Sequence, residues 1–79
     1  MNYQLIGNSD IPSDIGIILP TYREADNISN LIEAIEDLKL NASILVIDDS
    51  SPDKTGDIVQ EKQNKYNNIL LYVRLKRAV

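Results

Sequence analysis

Three short apolar runs constrain this chain most: Ile15-Gly-Ile-Ile-Leu19, Ser43-Ile-Leu-Val-Ile47 and Ile69-Leu-Leu-Tyr-Val73. None alternates apolar with polar residues, so each reads as a strand that needs cover on both faces. Between the first two runs, Ile28, Leu31, Ile32, Ile35 and Leu38 recur at helical spacing. Asp26 and Asn27 stand where a helix cap belongs, and acids there suit the helix dipole. Asn41 ends that pattern. A second helix is predicted over roughly Thr55 to Tyr66, with Ile58, Val59 and Tyr66 inward, and Asn67-Asn68 stops it. The order strand, helix, strand, helix, strand predicts an α/β fold, a Rossmann-like three-layer βαβαβ arrangement with parallel strands. Residues 1–14 are polar and read as a lead-in, leaving 15–79 as the folded part.

With 79 residues the chain makes one domain at most, and a domain of this size is marginal without help. It has no cysteine and no histidine, which removes disulfides and the usual metal-site residues. The lack of cysteine fits a reducing compartment. No apolar run approaches the roughly 20 residues of a membrane span. The start, Met1-Asn-Tyr-Gln-Leu-Ile-Gly7, has no basic region and no long apolar stretch, unlike a secretory signal. Charge is uneven: residues 1–61 carry twelve acids and three bases, a net −9, while residues 62–79 carry five bases and no acid. The acidic body argues against nucleic-acid binding. The basic end is either a solvated terminus or a contact for phosphates or an anionic membrane.

Folds of this type place ligands beyond the carboxyl ends of their strands. Two loops fall there, Pro20-Thr-Tyr-Arg-Glu24 and Asp48-Asp-Ser-Ser-Pro-Asp53. Neither holds Gly-x-Gly-x-x-Gly nor a Gly-Lys-Ser/Thr phosphate loop. Asp48, at the strand tip, either accepts hydrogen bonds from a ribose diol or base N–H, or serves as a turn acid. Asp49 either faces a metal-bridged diphosphate or bonds the following turn. Asp53 reads as a cap for the second helix, with Ser51 or Thr55 nearby. Tyr22 either offers a flat ring for stacking on a base or sugar, or is an ordinary half-buried tyrosine. Glu24 either bonds ribose hydroxyls or is a first-turn acid. Pro20 fixes the exit from the strand, and Arg23 reads as solvated or phosphate-touching.

Together, "ILPTYREADNISNLIEAI" and "ILVIDDSSPDKTGDIVQE" resemble the start of the GT-A fold, family-2 glycosyltransferases. The likeness is strongest to the dolichol-phosphate mannosyltransferase group, the polyprenyl-phosphate mannose synthases. It rests on Pro20-Thr21-Tyr22-Arg23-Glu24, Asn27-Ile28 and Asp48-Asp49-Ser50-Ser51-Pro52-Asp53-Lys54-Thr55, and spans about Ile15 to Arg74. The resemblance implies GDP-mannose as donor and dolichyl or another polyprenyl phosphate as acceptor. It implies that Pro20, Tyr22, Glu24, Val46 and Asp48 bind the nucleotide sugar, with Asp49 and Asp53 behind them. It further implies an inverting transfer aided by Mg2+ or Mn2+, at the cytoplasmic side of a membrane. A UDP-sugar transferase and a non-catalytic nucleotide-binding remnant are the alternatives. Arg23 departs from the group's common Asn.

The sequence also departs after the third strand, reading Val73-Arg-Leu-Lys-Arg-Ala-Val79, with Leu75 where relatives often have Pro. The group's Gly-rich segment, Asp-x-Asp metal motif and acceptor region have no counterpart here. The expectation is therefore an N-terminal part of such an enzyme, a truncated product or half of a split one, inactive alone. Neither catalytic residues nor a metal site of its own are expected in it. In the group's sheet the first strand is central, so Ile15–Leu19 is expected to be an apolar edge that promotes self-association. A signalling receiver domain is disfavoured, because there the acid pair follows the first strand.

Overall fold

A computed structural model describes residues 3–7 and 13–74. Most of the polar lead-in's middle and the basic tail Leu75–Val79 lie outside the described residues. The described elements are β1 (Tyr3–Ile6), β2 (Ile15–Thr21), α1 (Ile28–Asp37), β3 (Ala42–Asp48), α2 (Thr55–Lys65) and β4 (Ile69–Arg74). They form one sheet in the order β1-β4-β3-β2. β2, β3 and β4 run parallel, while β1 joins β4 antiparallel.

The expected α/β order is present, and β1 adds a strand inside the segment read as a lead-in. Tyr3 stacks on Tyr72 with ring centroids 4.9 Å apart. The Gln63 side chain donates to the carbonyls of Ile6, at 2.9 Å, and Ile69, at 3.1 Å, pinning β1 beside β4. Gly7 follows at φ 119°, and a Cβ there would fall 2.7 Å from the Gln63 amide nitrogen. A side chain at this position would meet both backbone strain and that clamp.

The core alternates along the strands. Ile44, Val46, Ile69 and Leu71 are buried with Ile28 and Ile32 of α1 and Val59 of α2. Both helices therefore cover the same face, as two successive right-handed crossovers in one direction require. The described residues build two layers, and the expected helical cover of the far face is not among them. That face carries Leu5, Ile18, Leu45, Ile47, Leu70 and Tyr72, with Ile18 61% exposed. The inward stripe of α1 is narrower than its sequence suggests: Leu31 is exposed, as is Leu38 just past the helix end. Among the described residues β2 pairs with β3 alone, so the strand expected to be an apolar edge lies at one. It continues through Pro20, which an edge strand accommodates.

Glu33 fastens α1 to α2. Its carboxylate lies 2.6 Å from the Lys62 ammonium and 3.0 Å from that of Lys65, and accepts from the Tyr66 hydroxyl. The Lys62 hydrogen bond, then those of Tyr66 and Lys65, lower its pKa from 4.5 to about 2. A carboxylate depressed by folding stabilises above its unfolded pKa, and the contribution is lost as pH falls through the folded one. Glu33→Gln is thus expected to lower the urea midpoint at pH 6. The gap from wild type should close as pH drops from 4.5 toward 2. An unchanged midpoint at pH 6 would show that the cluster contributes nothing.

Candidate functional site

The carboxyl ends of β2 and β3 bring two loops together. Thr21 and Asp48 are register partners across the parallel pair and are 7% and 3% exposed. A carboxylate at that depth needs donors. The Thr21 hydroxyl lies 3.0 Å from Asp48 Oδ1, and the Ser51 hydroxyl 2.6 Å from the same oxygen. The Ser51 amide donates to Oδ2 at 3.1 Å. The acid at the strand tip is therefore held by its own turn and by the neighbouring strand.

The same turn grips the first loop. Three consecutive backbone amides there donate to side chains of the second loop and of Thr55, the first residue of α2. Arg23 N–H reaches Ser51 Oγ at 2.9 Å, Glu24 N–H reaches Thr55 Oγ1 at 3.0 Å, and Ala25 N–H reaches Asp53 Oδ2 at 3.3 Å. Ser51 and Thr55 pass the contact on, since each hydroxyl accepts one amide and donates to a carboxylate, Asp48 or Asp53. Asp53 also accepts from the Thr55 amide at 3.1 Å, next to the start of α2. The Thr55 hydroxyl is the main cause of its lowered pKa. Ser51, Asp53 and Thr55 thus act mainly as a latch between loops. Asp53 stands next to the helix start, where its sequence position puts it, whereas the pairing of Thr21, Ser51 and Thr55 across the loops is not evident from sequence. Their one visible signal is three hydroxyl side chains around the acids.

Arg23 holds φ 56°, the left-handed region. That conformation costs a side-chain-bearing residue roughly 1 kcal/mol, less for Asn and least for Gly. Arg23→Gly is therefore expected to raise stability by about 0.5–1 kcal/mol in urea unfolding. Destabilisation would show that the guanidinium, 5.4 Å from the Tyr22 ring centroid, matters more than the backbone.

Two clefts meet at the end of β2. One, of about 330 Å³, is lined by Pro20, Thr21, Tyr22, Ile47, Asp49 and Arg74. Arg74 Nε lies 3.6 Å from Asp49 Oδ1 across it. The Ser50 hydroxyl donates to the Arg74 carbonyl, and the Asp49 amide donates to the Thr21 carbonyl at 3.1 Å. The other cleft, of about 200 Å³, is lined by Leu19, Pro20, Thr21, Glu24, Asn27, Ile28 and Leu31. The Glu24 carboxylate accepts there from the Asn27 amide at 3.4 Å. Pro20 and Thr21 form the shared wall. Tyr22 and Asp49 therefore face one cleft and Glu24 the other, with Asp48 buried behind the wall. Val46 is fully buried in the core, so its side chain supports the site from beneath. Arg74, read from sequence only as part of a basic end, lines the first cleft.

No three carboxylate, histidine or cysteine side chains converge on a metal position among the described residues. Asp48 is occupied by hydroxyl and amide donors, and Asp49 faces Arg74. These residues do not by themselves fit the divalent cation that the sequence resemblance implies.

The family model for glycosyl transferase family 2 matches residues 16–78. The chain belongs to glycosyl transferase family 2. The described sheet and helices correspond to an N-terminal piece of the Rossmann-like GT-A domain. Among curated family-2 relatives, a dolichol-phosphate mannosyltransferase of Pyrococcus furiosus is 41% identical over 54 residues, covering 66% of this chain and 15% of the relative. A Methanococcus voltae protein is 41% identical over 68 residues, covering 80% of this chain and 21% of the relative. Its name is dolichyl N-acetyl-alpha-D-glucosaminyl phosphate 3-beta-D-2,3-diacetamido-2,3-dideoxy-beta-D-glucuronosyltransferase. The chain thus spans about a fifth or less of the length of these relatives. No solved structure matches. No helix among the described residues is long and apolar enough to cross a membrane.

Proposed function

We propose that this family-2 glycosyltransferase chain forms the donor-nucleotide corner of a dolichyl-phosphate β-D-mannosyltransferase. That enzyme would pass mannose from GDP-mannose to dolichyl or another polyprenyl phosphate. The observation that carries the reading is the latch. It fixes the Tyr22–Glu24 corner against the Asp48 strand tip through three consecutive amides. The likeness to the Pyrococcus furiosus protein supports mannose as the sugar.

In this reading the nucleotide straddles the Pro20–Thr21 wall, its base or sugar against Tyr22 and Pro20 on one side and its ribose hydroxyls donating to Glu24 on the other. Asp48 acts from behind the wall, holding Thr21 and Ser51 so that both loops keep their shape around the nucleotide. Val46 keeps that strand in place. The acceptor's phosphate oxygen would bond to the sugar's anomeric carbon as the bond to GDP breaks, inverting that carbon. An ionised phosphate needs no strong base, so positioning dominates the protein's contribution. The work would take place at the cytoplasmic face of a membrane that holds the polyprenyl chain.

The Methanococcus voltae relative favours a second reading, a family-2 enzyme taking another sugar nucleotide, such as a UDP-sugar. Calorimetric titration separates the two. GDP-mannose is expected to bind about tenfold more tightly than UDP-N-acetylglucosamine, a difference of about 1.4 kcal/mol. The opposite order would favour the second reading. Binding of neither would reject both and leave a non-binding remnant.

A further inference from the structure

The cleft of about 330 Å³ at the strand tips carries two charged side chains, Asp49 and Arg74, among walls made by Pro20, Thr21, Tyr22 and Ile47. Of the cations among the described residues, Arg74 alone lines either of the two clefts at this end of the sheet. Its backbone is fixed on two sides. Val73 pairs with Asp48 in the β3–β4 register, which sets Arg74 beside Asp49. The Ser50 hydroxyl donates to the Arg74 carbonyl. The side chain is held more loosely. Its Nε lies 3.6 Å from Asp49 Oδ1, beyond hydrogen-bond length. Its N–H groups have no hydrogen-bonded acceptor among the described residues, and the side chain is 40% exposed. A planar fork of five donors is therefore steadied by one acid and left open to a ligand.

The neighbouring acid limits what that ligand can be. A diphosphate would bring negative charge next to Asp49. A nucleobase is neutral and flat, which suits a cleft walled by an aromatic ring, a proline and an isoleucine. Among the bases, guanine sets two acceptors, O6 and N7, side by side on one edge. Adenine sets an amino donor beside its N7, and a pyrimidine has no N7. The parallel N–H pair of a guanidinium matches the guanine edge alone.

We infer that Arg74 is the residue that selects guanine, donating two hydrogen bonds to O6 and N7 of a base seated in this cleft. Asp49 steadies the fork through Nε. The role rests on the nucleotide reading of the site and adds to it the group that tells guanine from uracil.

The test is calorimetric titration of the chain with GDP, UDP and 7-deaza-GDP, in which a C–H replaces N7. The wild-type chain should bind GDP about fivefold more tightly than 7-deaza-GDP, the loss of one bond of the pair. In Arg74→Ala, GDP affinity should fall about tenfold, UDP affinity should change less than about twofold, and the two guanine nucleotides should become equal. Arg74→Lys, which keeps the charge and loses the fork, should also bind the two guanine nucleotides equally. Equal binding of GDP and 7-deaza-GDP by the wild-type chain would overturn the inference without any variant. So would an equal loss of GDP and UDP affinity in folded Arg74→Ala, which would mark the guanidinium as a phosphate contact. In both cases nucleotides still bind, so the donor-site reading survives. Binding of none of the three would instead reject that reading, and the role of Arg74 with it.

Discussion

Asp48→Ala is expected to destabilise the chain by about 2–4 kcal/mol and to lower donor-nucleotide affinity more than tenfold. The carboxylate is 3% exposed and receives the Thr21 hydroxyl, the Ser51 hydroxyl and the Ser51 amide. Hydrogen bonds to a charged group contribute about 1.5–3 kcal/mol each, and buried donors left unmade add their own cost. The loss spreads beyond the turn, because Ser51 also accepts the Arg23 amide. Without Asp48 the Ser51 hydroxyl has no reason to hold the orientation that grips the first loop. Asp48→Asn is expected to fall between, since it keeps one acceptor but turns an NH2 toward Ser51 or Thr21. Urea unfolding and calorimetry read the two effects separately. An alanine variant with wild-type stability and wild-type GDP affinity would show that the buried acid organises nothing.

The second large effect concerns assembly. The chain is expected to self-associate as its concentration rises. One sheet face is uncovered by the described residues, and Tyr3, Leu5 and Ile18 on it are 40%, 48% and 61% exposed. The adjoining edge, β2, pairs among the described residues only with β3 and carries Ile15, 43% exposed. A contiguous apolar face beside an open strand edge invites pairing with another copy. Light scattering is expected to give a mass rising above 8.9 kDa with concentration. Ile18→Lys, which sets a charge on both the face and the edge strand, should shift that rise to higher concentration. A fixed monomer mass across the range would remove the proposal.

The parallel strands and both helices were legible because apolar runs and helical spacing survive any tertiary context. Which face each residue meets was not. Leu45, Ile47, Leu70 and Tyr72 extend their apolar runs as a doubly covered strand would, yet both crossovers place their helices on the other face. Leu31 and Leu38 fit the helical stripe of α1, but only Ile28 and Ile32 of that stripe are fully buried. β1 escaped notice because four residues give too short an alternation, although Tyr3 and Leu5 show it and Gly7 marks its end. At the candidate site, the sequence located the two loops and the acid pair. It did not reveal that Asp48 turns inward, because a carboxylate's direction depends on donors 27 residues away, such as Thr21. Nor did it show Tyr22 and Glu24 on either side of the Pro20–Thr21 wall, which follows from the turn at Arg23.

The most direct measurement is chemical-shift mapping of the labelled chain with GDP-mannose, joined to nuclear Overhauser contacts from the bound nucleotide. The account predicts saturable changes concentrated at Tyr22–Ala25 and Asp49–Thr55, with base or ribose protons close to the Tyr22 ring. Saturable changes centred on Asn67–Asn68 instead, or no contact with Tyr22 at saturation, would contradict it.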